Sequence, residues 1–208
     1  MILGVDTSLG TAVGLVGRDG RTLVEAGSDD ALGHAEVIGG LLQRVLDGTD
    51  GDEPIRRVVA GMGPGPFTGL RIGIAAARAF ALGRGIGFVP VPSHLAAALA
   101  EIEAGTVSGP FAIVTDARRR ETAVTVFEGL DVDGIPHVVV DTVLVPRTEL
   151  EARLGALRRI EVASLSAAAL ARVGQRALVA GRELTGPEPL YLRAPDAVIP
   201  AARKRVGA

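Results

Sequence analysis

Arg57-Val58-Val59-Ala60-Gly61-Met62-Gly63-Pro64-Gly65-Pro66-Phe67-Thr68-Gly69-Leu70-Arg71-Ile72-Gly73 reads as a buried strand, a turn of alternating glycine and proline, and a helix that continues to about residue 83. Working outward, residues 2–5, 11–16 and 22–26 are three more strands, the last two joined by the hairpin signal Asp19-Gly20. An acidic loop over 28–33 leads to a helix over about 34–46, and a polar turn over 47–54 leads back to the quoted strand. A strand at 87–91 and a helix over 93–103 close the first half. After a junction at 105–110 the pattern restarts, with strands at 111–115, 122–127 and 138–145 and helices near 148–157 and 166–180. The order βββαβαβ followed by a second strand-rich half predicts an α/β fold with mixed sheets. Each half opens with a strand, a turn and a hairpin-like return, a weak internal repeat. The tail after Gly186 is punctuated by proline and ends in Arg203-Lys204-Arg205, which reads as a mobile terminus.

The chain has 208 residues, no cysteine, 32 alanines, 28 glycines and six aromatic residues. Disulfide frameworks and cysteine-ligated metal sites are excluded. Twenty-two basic against 24 acidic residues leave a formal charge of −2, which argues against a protein that grips nucleic acid through a basic face. The start Met1-Ile2-Leu3-Gly4-Val5-Asp6 has no basic leader region. The most hydrophobic stretch, 72–91, carries Arg78, Arg84 and Pro90, so no membrane span is expected and a cytoplasmic location is.

The turn lies where backbone N–H groups and a helix N-terminus meet an anion. It lacks the Gly-Lys-Ser/Thr of a phosphate-binding P-loop, and Pro66 stands where a dinucleotide fingerprint has its third glycine. Pro64 and Pro66 also remove two donors. Two readings stand, a phosphate contact by Gly63 and Gly65 or a rigid turn that aims the next helix. That helix is apolar or small on nearly every side, so it requires cover over most of its circumference. Gly69, Gly73 and Ala77 place small residues on one face, where another backbone can approach closely. In the helix over 34–46, Val37, Ile38, Leu41, Leu42, Val45 and Leu46 span about half the wheel. Either the two helices cover each other or they present a partner face.

Ile2-Leu3-Gly4-Val5-Asp6-Thr7-Ser8, His34-Ala35-Glu36, Gly63-Pro64-Gly65-Pro66-Phe67-Thr68-Gly69-Leu70-Arg71-Ile72-Gly73, Asp116-Ala117-Arg118 with Glu121, and Tyr191-Leu192-Arg193 resemble the bacterial TsaB (YeaZ) family in order and spacing. One departure is Pro66, where the family's Gly-Pro-Gly-Ser-Phe-Thr-Gly has serine. The resemblance implies the actin-like ATPase (ASKHA) superfold, with an N-terminal lobe over 1–105 and a C-terminal lobe with its tail over 106–208. It implies a non-catalytic scaffold in the threonylcarbamoyladenosine modification of tRNA, binding the TsaD transferase together with TsaE. On this reading tRNA is met only through the complex, and the chain alone forms a homodimer. The partner face is expected to comprise Val37, Ile38, Leu41, Val45, Gly69, Gly73, Ile74 and Ala77. No tightly bound cofactor is expected, and ATP or ADP at the TsaD interface stays open.

TsaD-like proteins carry a His-x-x-x-His metal pair on the helix that corresponds to 93–103. Here His94 stands at the first position and Ala98 at the second, so no metal site is read. Asp6, Thr7 and Ser8 lie where actin-like ATPases hold a metal-bound nucleotide, or they form a turn cap between two strands. The alternative function is therefore a small actin-like ATPase or phosphotransferase using Asp6 and the 63–65 loop. A metallopeptidase is the third reading, weakened by Ala98. Arg118-Arg119-Arg120 is either a solvated basic turn or a tRNA contact within the complex.

Overall fold

The computed structural model describes residues 1–30, 33–49 and 53–193. The Arg203-Lys204-Arg205 tail, and parts of the expected loops at 28–33 and 47–54, lie outside them. The first sheet has the order β3-β2-β1-β4-β5, built from β1 (Ile2–Asp6), β2 (Thr11–Val16), β3 (Thr22–Ser28), β4 (Arg57–Gly61) and β5 (Gly87–Val91). The second has the order β8-β7-β6-β9, built from β6 (Pro110–Asp116), β7 (Glu121–Leu130), β8 (Pro136–Pro146) and β9 (Arg158–Glu161). In each sheet the first strand pairs antiparallel with the second and parallel with the fourth. The internal repeat therefore extends through four strands, and the two mixed sheets flanked by helices are those of an actin-like fold. The sequence reading has no counterpart for β9. Its four residues, Arg-Arg-Ile-Glu, include one apolar side chain and carry no readable alternation.

Strand alternation splits the core in two. Leu3 and Val5 of β1 face α1 (His34–Asp47) and α2 (Phe67–Arg84), where they meet Leu41, Val45, Leu70 and Ile74. Ile2 faces the other way, into a cluster with Val59, Leu99, Phe111, Leu170 and Val173. That second cluster joins α3 (Ser93–Glu103) and α5 (Ala167–Ala180) and reaches the second sheet. The short α4 (Leu150–Leu154) covers a smaller cluster around Val114 and Val124. The helices exchange lobes. Helix α3, which follows the first sheet, packs against β6, β7 and β8, and α5, which follows the second, packs across β1, β2 and β4. A division near residue 105 thus sorts the strands between sheets but does not sort the helices.

This exchange accounts for much of the small-residue content. A Cβ added at Gly4 would lie 2.0 Å from the Ala167 carbonyl oxygen, and one at Gly174 would lie 2.4 Å from the Val59 side chain. Helix α5 rides on the sheet at backbone distance, with Ala167, Ala168, Ala169, Ala171 and Ala177 all buried beneath it. Among the described residues, no helix is long and apolar enough to cross a membrane.

Candidate functional site

Strand β1 delivers Asp6 to a buried turn, where its Oδ1 accepts from the Ser8 amide at 2.7 Å. Its Oδ2 accepts from Ser93 Oγ at 2.6 Å, across 87 residues of sequence. Ser93 Oγ also accepts from the Gly63 amide at 3.0 Å and lies 2.7 Å from Ser8 Oγ. A hydroxyl has one proton, and Ser93 gives its proton to Asp6, so Ser8 is the donor of the last contact. Every polar atom of the Ser93 side chain is thereby used. Burial pushes the Asp6 carboxyl above its ordinary range, against hydrogen bonds from Ser93 and Ser8. Asp6, Thr7 and Ser8 are each at most 2% exposed.

The glycine turn closes over this hub. The amide of Gly63 is spent on Ser93, and a Cβ at Gly65 would lie 2.7 Å from Ser8 Cα. Thr7 Oγ1 donates to the Gly69 carbonyl at 2.8 Å. The structure therefore assigns the side chains of Asp6, Thr7 and Ser8 and the loop glycines Gly63 and Gly65 to one packed joint between β1, α2 and α3. Ser93 is the residue that sequence reading missed, because Pro92-Ser93 carries only the signal of a helix start.

Helix α2 shows where the small face points. A Cβ at Gly73 would meet Thr7 Oγ1 at 2.1 Å, and one at Gly69 would meet His34 Nε2 at 2.8 Å. The approaching backbone is therefore the chain's own β1 turn. Ile74 and Ala77 are buried beside them, as are Ile38, Leu41 and Val45 of α1, while Val37 is half-buried. These eight residues, expected as a partner face, anchor α1 and α2 to the first sheet. The outward faces include Gly39, Gly40, Gln43 and Arg44 on α1 and Arg71, Ala75, Arg78, Ala79, Leu82 and Gly83 on α2. Leu82 is 85% exposed, and a Cβ at Gly39, Gly40 or Gly83 would meet nothing within 4 Å.

A strap from the far end of the chain crosses the start of α2. The Leu190 amide donates to the Met62 carbonyl at 2.7 Å, and Tyr191 stacks on Phe67 with ring centroids 4.7 Å apart. Arg71 lies over the Phe67 ring at 3.6 Å and donates from Nε to the Tyr191 hydroxyl at 2.9 Å. Arg193 pairs with Glu121 on β7. Sequence signatures about 120 residues apart are one structure, linking α2 to the second sheet.

His94 lies buried in the first turn of α3. Its Nδ1 is 2.6 Å from Thr125 Oγ1 and its Nε2 is 3.0 Å from Thr115 Oγ1, so both ring nitrogens are occupied. One turn on, Ala98 is fully buried. Burial lowers the His94 pKa from 6.5 to about 3. The unfolded chain binds the proton more readily, so this histidine stabilises the fold above pH 6.5, and the contribution is lost as pH falls toward 3. Between pH 6 and 4, the stability of His94→Gln is expected to fall less steeply than that of the unaltered protein, by up to about 1.4 kcal/mol per pH unit. Urea titrations across that range check this. Asp6 contributes with the opposite sign, and the comparison of variant with parent cancels it.

The turn after β6 repeats the one after β1. Asp116 Oδ1 accepts from the Arg118 amide at 2.9 Å, as Asp6 does from Ser8. The Arg147 side chain, 3.0 Å away, holds the Asp116 carboxyl below its usual range. Arg118, Arg119 and Arg120 all adopt left-handed backbone, with φ of 60°, 53° and 64°. Such residues are costly without glycine, so Arg120→Gly is expected to stabilise the protein by about 0.5–1 kcal/mol net of glycine's own entropy. A rise of roughly 2–3 °C in the thermal midpoint checks this.

The family model of TsaD, tRNA N6-adenosine threonylcarbamoyltransferase, matches residues 30–145, more than half of the chain. Rv3421c of Mycobacterium tuberculosis is 35% identical over 211 residues, covering 94% of this chain and 93% of its own. ML0378 of Mycobacterium leprae is 37% identical over 126 residues, a match that spans 58% of this chain and 33% of that protein. YeaZ from Pseudomonas aeruginosa superposes with a TM-score of 0.72 at 21% identity, covering 92% of this chain and 99% of its own. A second solved structure, described as similar to peptidase YeaZ from Pseudomonas aeruginosa, gives 0.73 at 22% identity. Two mixed sheets of repeated topology that exchange helices define the actin-like class. Within it, the chain belongs to the TsaD family, and its fold is that of YeaZ.

Proposed function

We propose that this YeaZ-type chain is the non-catalytic partner subunit of a TsaD transferase in the threonylcarbamoyladenosine modification of tRNA, assembling with TsaD and TsaE. The observation that carries this reading is the state of α3. The one histidine at the TsaD metal-pair position has both nitrogens hydrogen-bonded to threonines, and the second position is a buried alanine. The Asp6 hub supports the same reading, because the carboxylate that would hold a metal-bound nucleotide is committed to Ser93 and Ser8.

The proposed contact with TsaD is the outward face of α1 and α2. Gly39, Gly40, Ala75, Ala79 and Gly83 leave room for close helix approach, and Leu82 supplies an apolar anchor. The same face would close a homodimer when TsaD is absent, and tRNA would be met through the assembled complex. No tightly bound cofactor belongs to the isolated chain on this reading, and ATP or ADP would bind only where TsaD completes a site. Co-expression with TsaD and TsaE from the same genome tests the assignment. Recovery of a stoichiometric complex supports it, and failure of TsaD to co-purify contradicts it.

A further inference from the structure

At the edge where β1, β4 and β5 begin, four arginines from separated parts of the chain line one concave pocket. Arg18 comes from the turn after β2, Arg56 and Arg57 from the entry to β4, and Arg84 from the last turn of α2. Ile55 and Ile86 are among the apolar residues that line it. Glu53 is the acid beside it, and its carboxylate is held by Arg18 at 2.9 Å and by the Met1 amino group at 3.2 Å. Among the described residues, no carboxylate pairs with Arg56, Arg57 or Arg84. Gly87 has a part in this arrangement. A Cβ there would lie 2.8 Å from Arg57 Cδ, so the glycine lets the Arg57 side chain lie across β5.

Arg56, Arg57 and Arg84, which have no carboxylate paired to them among the described residues, raise the local potential, in a chain whose net charge is −2. Arg84 also complements the C-terminal dipole of α2 and lies over the Phe80 ring at 5.3 Å, and Arg57 donates to the Arg56 carbonyl at 2.8 Å. These contacts leave the charge of all three without an anionic partner among the described residues. A guanidinium fork fits phosphate oxygens in pairs. We infer that this pocket binds phosphate groups, either of a free phosphate-bearing small molecule or of an RNA backbone. The site lies away from the Asp6 hub and does not depend on the partner role proposed above.

The test compares the full chain with Arg56→Gln/Arg84→Gln, using calorimetric titration with inorganic pyrophosphate and fluorescence anisotropy with a labelled single-stranded RNA. Both side chains are exposed, so the variant is expected to keep the parent's circular dichroism and thermal midpoint. The parent should bind at least one probe, and the double variant should bind it at least about tenfold more weakly. If RNA is the ligand, the dependence of affinity on salt should also flatten, by about 0.7 in logarithmic slope for each phosphate that the variant no longer neutralises. Binding of pyrophosphate alone assigns the pocket to a free ligand, and binding of RNA that pyrophosphate displaces assigns it to a backbone. Arg118→Gln/Arg120→Gln, on the other lobe, should leave both affinities unchanged. Absence of binding to either probe, equal affinity in the Arg56/Arg84 variant, or loss confined to the Arg118/Arg120 variant overturns the inference.

Discussion

Gly61→Ala is expected to destabilise the protein by about 3–5 kcal/mol, although it adds a single methyl group. The new Cβ would sit 1.7 Å from Asp6 Oδ2 and 2.8 Å from Ser93 Oγ. Asp6 cannot swing aside without cost, because the Ser8 amide and the Ser93 hydroxyl hold its two oxygens. Displacing it would leave a buried carboxyl and a buried hydroxyl short of partners, and such orphaned groups cost about 1–3 kcal/mol each. At this chain length the change corresponds to roughly 10 °C in the thermal midpoint, read by calorimetry or circular dichroism. A midpoint within about 2 °C of the parent would show that the hub can rearrange, and the joint between β1, α2 and α3 would not be the keystone of the fold.

The second large effect falls on association and spares the fold. Ala75→Arg/Ala79→Arg places two long cations on the outward face of α2, where both parent residues are exposed. Stability should change by no more than about 0.5 kcal/mol per site. If the contact proposed above is made through this face, affinity for TsaD should fall at least about 100-fold, close to 2.7 kcal/mol, because a close-packed helix contact there would not accommodate the added volume. Val179→Glu, on a residue 87% exposed on α5, should leave the affinity unchanged and serves as the control. Gly73→Arg would be a poor probe of the interface. The arginine would collide with Thr7 inside the chain and unfold it, so a failure to bind would say nothing of the surface.

Much of the fold was legible because strands and helices here have strong local signals. Strands β2 and β5 and helix α3 have the bounds read from sequence, and the other long elements differ by a few residues at their ends. Strand β9 escaped because its pairing with β6 is set by the sheet and not by its own residues. The placement of α5 escaped for a similar reason. Its alanine run reports close packing but does not say which sheet lies beneath, and the answer depends on a crossing between lobes.

At the site, residue types were legible and their assignments were not. The spacing of Gly69, Gly73 and Ala77 correctly signals a close approach. A helical wheel has no means of telling whether the approaching backbone belongs to a partner or to Thr7 of the same chain. Asp6 and Ser93 are distant in sequence, and neither residue alone predicts the bond between them. Phe67, Arg71 and Tyr191 stood out as separate signatures, and their stacking became visible only when the strap was traced across α2.

The central claim, a partner subunit that organises a catalyst without being one, is tested most directly by reconstitution with purified TsaD, TsaE, threonylcarbamoyl-adenylate and an unmodified tRNA. Threonylcarbamoyladenosine should form at a high rate only when this chain is added, and the chain by itself should form none. Product formed at the full rate by TsaD and TsaE without this chain, or by this chain without TsaD, would contradict the account.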